Sequence, residues 1–419
     1  MALNGKVIRN PRWLAVRCML EVSRENLLVP EAMARLSFAL SDEDRNFAHK
    51  IVYDSFRYLP GLNRTLHHFC NKGRLPEKIN WLLIASICQI KFTRSPAYAI
   101  VDEANKMAAK MGFRGLKGLV NAVLRSVIRE GAELWATWSE RDWLLPPWLA
   151  ELLSHQHGEE VLSQWLNTWT DKGIVSYWSR SGKGLAGDLP SPFVPHAFRR
   201  SSPPSVEDIQ RHQLYVQNET SQAVAYTICN SGVRSVLDLC AAPGGKGLFI
   251  CNFGQTERLV CCDSSPERVA RLRENQKRLA LDLETHCKAA ENLDLEPETF
   301  ELVLVDAPCS GIGIVGRHPE IKHLKHQPAD ETLRHIQSSI LQAGWRFVAP
   351  GGYLLYTVCS LDRRELPSPP EEAILDLQRL ESWLPRDLPR EIQADCFCLQ
   401  PSAELDGFLG MLLFKPRSP

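Results

Sequence analysis

The 419-residue chain has no net charge, with 49 basic and 49 acidic side chains. It has no apolar run long enough to span a bilayer. Near its start Arg9, Arg12 and Arg17 interrupt what would otherwise be the apolar core of a secretory leader. These absences set aside a membrane protein and an exported one, and the expectation is a cytoplasmic protein with no membrane partner. Zinc-type spacing is missing too. The thirteen cysteines include Cys261-Cys262 and Cys396-Phe397-Cys398, but no paired CxxC or HxxxH cluster, so no metal is expected. In a reducing compartment most of these thiols serve as small buried hydrophobes. There is no GxGxxG fingerprint and no internal repeat.

Charge is present but divided. Residues 1–130 hold 21 Lys/Arg and 11 Asp/Glu, and the remainder holds 28 and 38. A basic module on an acidic body suits a phosphate-bearing partner, although an ordinary solvated helical surface has the same composition. Apolar residues in 1–130 recur at helical spacing, as in Phe47-x-x-x-Ile51-Val52-x-x-x-Phe56 and Leu116 to Val127. Breaks stand at Pro60-Gly61, Asn71-Lys72-Gly73 and Ser95-Pro96, and Asp42 is a candidate N-cap. The spacing predicts an all-helical bundle over 1–130. Residues 131–210 read as a small mixed subdomain, with the Gly-, Pro- and Ser-rich run 182–204 as loop or linker.

From 211 to 419 short apolar strands (235–240, 258–262, 300–305, 352–357) alternate with helical stretches such as 266–279 and 332–347. That alternation predicts an α/β domain on a parallel sheet, with its ligand beyond the carboxyl ends of the strands. Cys240, Ala241, Ala242, Pro243, Gly244, Gly245 and Lys246 follow the first strand, where small residues let the backbone turn tightly against a ligand. Asp263 ends the second strand, placed to accept both hydroxyls of a ribose. Asp306 and Cys309 end the third, and Cys359 ends the fourth. A lone cysteine at a strand end is commonly just buried. Two beside a carboxylate and a nucleoside-type turn point to covalent chemistry.

These segments resemble the RNA (cytosine-5)-methyltransferases of the NOL1/NOP2/Sun family. The resemblance rests on the 239–246 turn, Asp306-Ala-Pro-Cys-Ser-Gly311, Cys359, Arg317-His-Pro-Glu-Ile-Lys322, Tyr215–Gln222 and Asp406-Gly-Phe408. Asp44-Arg45, Tyr53, Arg57 and Lys117–Arg125 resemble a NusB-type RNA-binding domain. The combination is similar to the bacterial branch acting on small-subunit ribosomal RNA, whose target is cytosine 967.

The resemblance implies a Rossmann-like fold that uses S-adenosyl-L-methionine, a ribosomal RNA substrate and a monomeric enzyme. It implies that Cys359 attacks C6 of cytosine, that Asp306 holds the N3/N4 edge, and that Cys309 assists loss of the C5 proton. Cofactor contacts would come from the 240–246 turn, Asp263, Asp306 and Glu291, the last standing in for a family Asp at Ala289. The chain departs from the family pattern at Gly247 and Val358, where Thr is usual, at Asp54, where Gly is usual, and in Asp362-Arg-Arg-Glu365 in place of PEEN. Two other readings are a non-catalytic RNA-binding assembly factor, which would need neither cysteine, and a DNA cytosine methyltransferase, which would not need the RNA-type N-terminal domain.

Overall fold

A computed structural model describes residues 7–70, 73–170, 173–324 and 331–417. Asn71 and Lys72, part of one expected break, lie outside them. The chain divides into two compact units, Met1–Thr170 with Arg317–His326, and Asp171–Gly316 with Gln327–Pro419.

The first unit is helical. Asn10 caps Pro11–Glu25, its Oδ1 accepting from Trp13 N at 3.0 Å, and Pro11 opens the helix where its missing N–H costs nothing. Asp42–Arg57 is capped by Ser41 rather than Asp42, because the Ser41 hydroxyl reaches Asp44 N at 3.1 Å; Asp42 sits inside the helix, in its first turn. Glu77–Phe92 is buried on nearly every side, from Ile79 through Gln89, and forms the centre of the bundle. Helices Ala97–Lys110 and Lys117–Trp135 turn one apolar face each to that core. Each fully buried leucine or phenylalanine here contributes about 1.5–3 kcal/mol.

The segment Arg317–His326 folds with these helices although it follows Cys309 closely in sequence. Glu320 is fully buried and accepts from Val29 N at 2.9 Å. The Lys322 ammonium donates to the carbonyls of Arg57 and Leu144.

The second unit contains two sheets. The smaller is antiparallel, in the order β2 (Leu189–Pro190), β3 (Ala197–Arg200), β1 (Val175–Ser179), β4 (Leu214–Val216). The run 182–204 expected as loop thus supplies two of its strands. Its Pro190 sits on the edge strand, where a missing donor is tolerated.

The main sheet is parallel through β7 (Glu284–Cys287), β6 (Arg258–Asp263), β5 (Ser235–Asp238), β8 (Phe300–Asp306) and β9 (Val348–Val358). It continues antiparallel through β13 (Phe408–Phe414), β12 (Phe397–Leu399) and β11 (Arg390–Ile392), with β10 (Ile374–Leu375) paired to β13. The parallel sheet expected is present, extended by antiparallel strands, and four of its five parallel strands are the ones predicted. Trp178 of the small sheet stacks on Tyr215 and meets Phe249 edge-on, which seats that sheet beside the helix Gly245–Phe253. No helix among the described residues is long and apolar enough to cross a membrane.

Candidate active site

The carboxyl ends of β5, β6, β8 and β9 converge, as a parallel sheet requires. Asp306 is the last residue of β8 and pairs in register with Thr357 on β9. The Thr357 hydroxyl donates to Asp306 Oδ1 at 3.0 Å, and the Lys246 ammonium ion-pairs with Oδ2. Burial lowers the proton affinity of Lys246, but Asp306, Asp238 and Cys359 outweigh it and the net shift is upward. Lys246 is therefore a fixed cation in the site.

Beyond these strand ends the two cysteines meet. Cys309 Sγ and Cys359 Sγ are 3.1 Å apart, and neither is in a disulfide. The Cys309 thiol is pushed well upward by its hydrogen bond with Cys359, by burial and by the nearby carboxylates of Glu365 and Asp306.

Two glycines permit the approach of the loops. Gly313 N donates to Cys359 O at 3.1 Å, and Gly407 N donates to Gly313 O at 2.9 Å. A Cβ on Gly313 would lie 1.9 Å from Gly407 O, so only glycine fits. The Thr220 hydroxyl donates to Asp406 O and accepts from Asp406 N, both at 2.9 Å, which anchors the Asp406-Gly407 turn.

The 240–246 turn follows β5. Ala241 and Ala242 are buried, Ala242-Pro243 is a cis peptide, and Gly244 has φ 107°, in the left-handed region that favours glycine. Gly247 sits where a Cβ would lie 2.5 Å from Cys261 Sγ. A threonine there would clash, so this departure from the family pattern matches the cysteine behind it.

Among known proteins, the model for the 16S rRNA methyltransferase RsmB/F family matches residues 227–380, and that for the NusB family matches residues 9–129. The ribosomal RNA small subunit methyltransferase B of Proteus mirabilis is 27% identical, covering 98% of this chain and 100% of its own. Its counterpart in Cronobacter sakazakii is 28% identical over 84% and 87%. Two family models thus match this chain in tandem, NusB in its N-terminal part and RsmB/F in its C-terminal half.

Its fold agrees. The crystal structure of PH0851 superposes with TM-score 0.75 at 18% identity, covering 98% of this chain and 100% of that one. NSun6 from Pyrococcus horikoshii, solved with SFG, superposes with TM-score 0.50 at 14% identity over 65% and 99%. With these matches along most of its length, the protein is an S-adenosylmethionine-dependent rRNA methyltransferase.

The residues present suit that cofactor. Asp263, almost fully buried at the end of β6, accepts from Ser265 N at 2.9 Å and Ala242 N at 3.3 Å, and pairs with Arg268 at 2.9 Å. Asp238 is buried at the end of β5, and its Oδ1 has no hydrogen-bond partner among the described residues. A buried carboxylate oxygen left open in this way is a seat for a ligand's donor. Glu291 is exposed on the turn Ala290–Asn292, and only its backbone carbonyl has a described bond, to Arg346 at 3.2 Å.

Two residues escaped the sequence reading. Asp238 was hidden in an apolar strand, although its place directly before the cofactor turn was a signal. The other is Glu365, fully buried within the segment that replaces PEEN. Its carboxylate accepts from Ser310 N at 2.8 Å, from Gln337 Nε2 at 3.0 Å, and from the hydroxyls of Ser310 and Ser360. Ser310 follows Cys309 and Ser360 follows Cys359, so one carboxylate ties both cysteine loops.

Proposed function

We propose that the protein methylates C5 of a cytosine in 16S ribosomal RNA, of the cytosine 967 class, through a covalent adduct between Cys359 and C6. The observation that carries this is the 3.1 Å approach of the Cys309 and Cys359 sulfurs beside the Lys246–Asp306 pair.

Cytosine C5 is too weak a nucleophile to be alkylated unaided, and addition at C6 divides that step into easier ones. The Cys359 thiolate attacks C6, and the C5–C6 π electrons move toward N3. Asp306, pinned by Lys246 and Thr357, holds the N3/N4 edge and favours the protonated ring. S-adenosylmethionine supplies an electrophilic methyl group, and C5 of the adduct is the atom that takes it. With Cys309 assisting, the C5 proton is then lost to solvent, the C5=C6 bond re-forms, and Cys359 leaves as thiolate. The cofactor would be held by the 240–246 turn, Asp263, Asp306, Glu291 and Asp238. The site requires an unpaired base, so the target is presented in a loop or flipped from a helix.

The basic residues 1–130 form the RNA-docking module, 131–210 the connecting subdomain and 211–419 the methyltransferase domain. Phosphate contacts by the first module position the substrate, so affinity falls with added salt. The protein acts in the cytoplasm. The test is mass spectrometry of the enzyme mixed with cofactor and a 16S transcript carrying 5-fluorocytosine. A covalent adduct that maps to Cys359 is expected. No adduct, with RNA still bound, would leave only an RNA-binding assembly factor.

A further inference from the structure

Within the helical unit, helices Ala97–Lys110 and Lys117–Trp135 pack side by side and leave a cavity of about 520 Å³ on their outer side. That volume lies in the range of small-molecule sites. Tyr98 stands in its lining 79% exposed, the most exposed of the large hydrophobic side chains described, and Ile128 is 40% exposed. An aromatic ring and an isoleucine left in water at one groove are not a surface that folding alone explains.

The polar lining is equally specific. Arg125 donates to Asn121 Oδ1 at 3.2 Å, and among the described residues no acid is paired with it. Arg129 lines the groove too, bonded to Glu130 outside it. The acid in the lining, Asp102, is neutralised by Lys106 at 2.6 Å. Asn105 donates to Val101 O at 3.0 Å, while its Oδ1 is shut off from water without a partner. The groove thus combines a free ring, a net positive charge and an unsatisfied amide oxygen.

We propose that this groove binds one unpaired nucleotide of the RNA substrate, with the base stacked on Tyr98, its edge on the Asn105 and Asn121 amides, and its phosphate on Arg125 and Arg129. Unpaired bases are recognised by stacking on exposed aromatic rings, and amide side chains complement their donor and acceptor edges. The 21-to-11 excess of basic over acidic residues in 1–130 supplies the complementary field. The inference rests on the rRNA reading and assigns the RNA a second contact, separate from the cysteines.

The experiment measures affinity of the full-length protein for a 16S rRNA transcript, with S-adenosylmethionine affinity measured in parallel. Tyr98→Ala is expected to weaken RNA binding about tenfold, and Tyr98→Phe to restore it, because the ring is what stacks. Arg125→Gln is expected to lower the slope of log affinity against log salt by about one. Cofactor affinity stays unchanged in all three. RNA binding by the wild type that Tyr98→Ala leaves intact overturns the groove as an RNA site, assigns it to a protein partner and spares the proposed function. A wild type that does not bind the transcript overturns both.

Discussion

Glu365 and Ser310 are joined twice, through the Ser310 amide at 2.8 Å and through its hydroxyl, in the buried interior behind Cys309. The same carboxylate takes the Ser360 hydroxyl behind Cys359. Its removal strands several buried donors at once. Glu365→Ala is therefore expected to cost about 2–5 kcal/mol of stability, at the upper end of buried-network losses. Glu365→Gln keeps one acceptor and is expected to cost about 1–3 kcal/mol. Urea unfolding measures these losses. At temperatures where the variant is folded, single-turnover adduct formation should slow at least tenfold, because the two sulfurs lose their common support. Adduct formation at the wild-type rate would make Glu365 a purely structural residue.

The two thiols should fail in opposite ways. Cys359→Ala removes the nucleophile and is expected to abolish both methylation and the covalent adduct, while S-adenosylmethionine still binds. Cys309→Ala leaves the nucleophile but removes the group that assists loss of the C5 proton. The adduct should then form and persist, visible as a protein–RNA band on a denaturing gel with an unmodified transcript. Normal turnover by Cys309→Ala would overturn its role.

Strand ends and the small-residue turn after β5 were legible in the sequence because their signals are local. A short apolar run followed by small residues or by an acid, as at Asp263 and Asp306, marks a strand and its ligand-facing end. What escaped was non-local. The 182–204 run carries loop composition, yet Ala197–Arg200 forms a strand because Val175–Ser179 offers it a partner. Glu365 looked like one charge among Asp362-Arg363-Arg364-Glu365; only the fold brings Ser310 and Gln337, 55 and 28 residues away, onto its carboxylate. Arg317–Lys322 was legible as a motif, but nothing in its residues says that it folds with helices nearly 300 residues earlier, Glu320 reaching Val29 across 291 positions.

That last segment gives a stability prediction. Lys322 is buried, and burial among Arg57 and its other neighbours lowers its proton affinity well below the usual lysine range. What retains it is the pair of carbonyls, Arg57 O at 2.7 Å and Leu144 O. Lys322→Ala leaves both carbonyls without their donor and opens a cavity. It should destabilise the protein by about 2–4 kcal/mol. Differential scanning calorimetry reads the loss, which should appear in the transition of the helical unit. An unchanged melting profile would mean that the segment is not fastened there.

Asp238 makes stability depend on pH in a calculable direction. Burial, reinforced by the negative charges of Asp306 and Asp263 and opposed by Lys246, raises its carboxyl to about 7. In the unfolded chain the same group titrates near ~3.9. Between those values the folded protein holds a proton that the unfolded chain has released, so stability falls as pH rises from about 4 through about 7 and is then level. At about 1.36 kcal/mol per unit, the full difference is at most about 4 kcal/mol. Asp238→Asn should remove this component, so the variant's urea midpoint should gain on the wild type's as pH goes from 5 to 8. Other titrating groups are common to both proteins and cancel in the comparison. Saturating S-adenosylmethionine should shrink the difference, since a donor placed on Asp238 Oδ1 stabilises the charged form. Parallel midpoints for the two proteins across that range would mean that Asp238 is already ionised at pH 5 and that burial does not hold its proton in the folded protein.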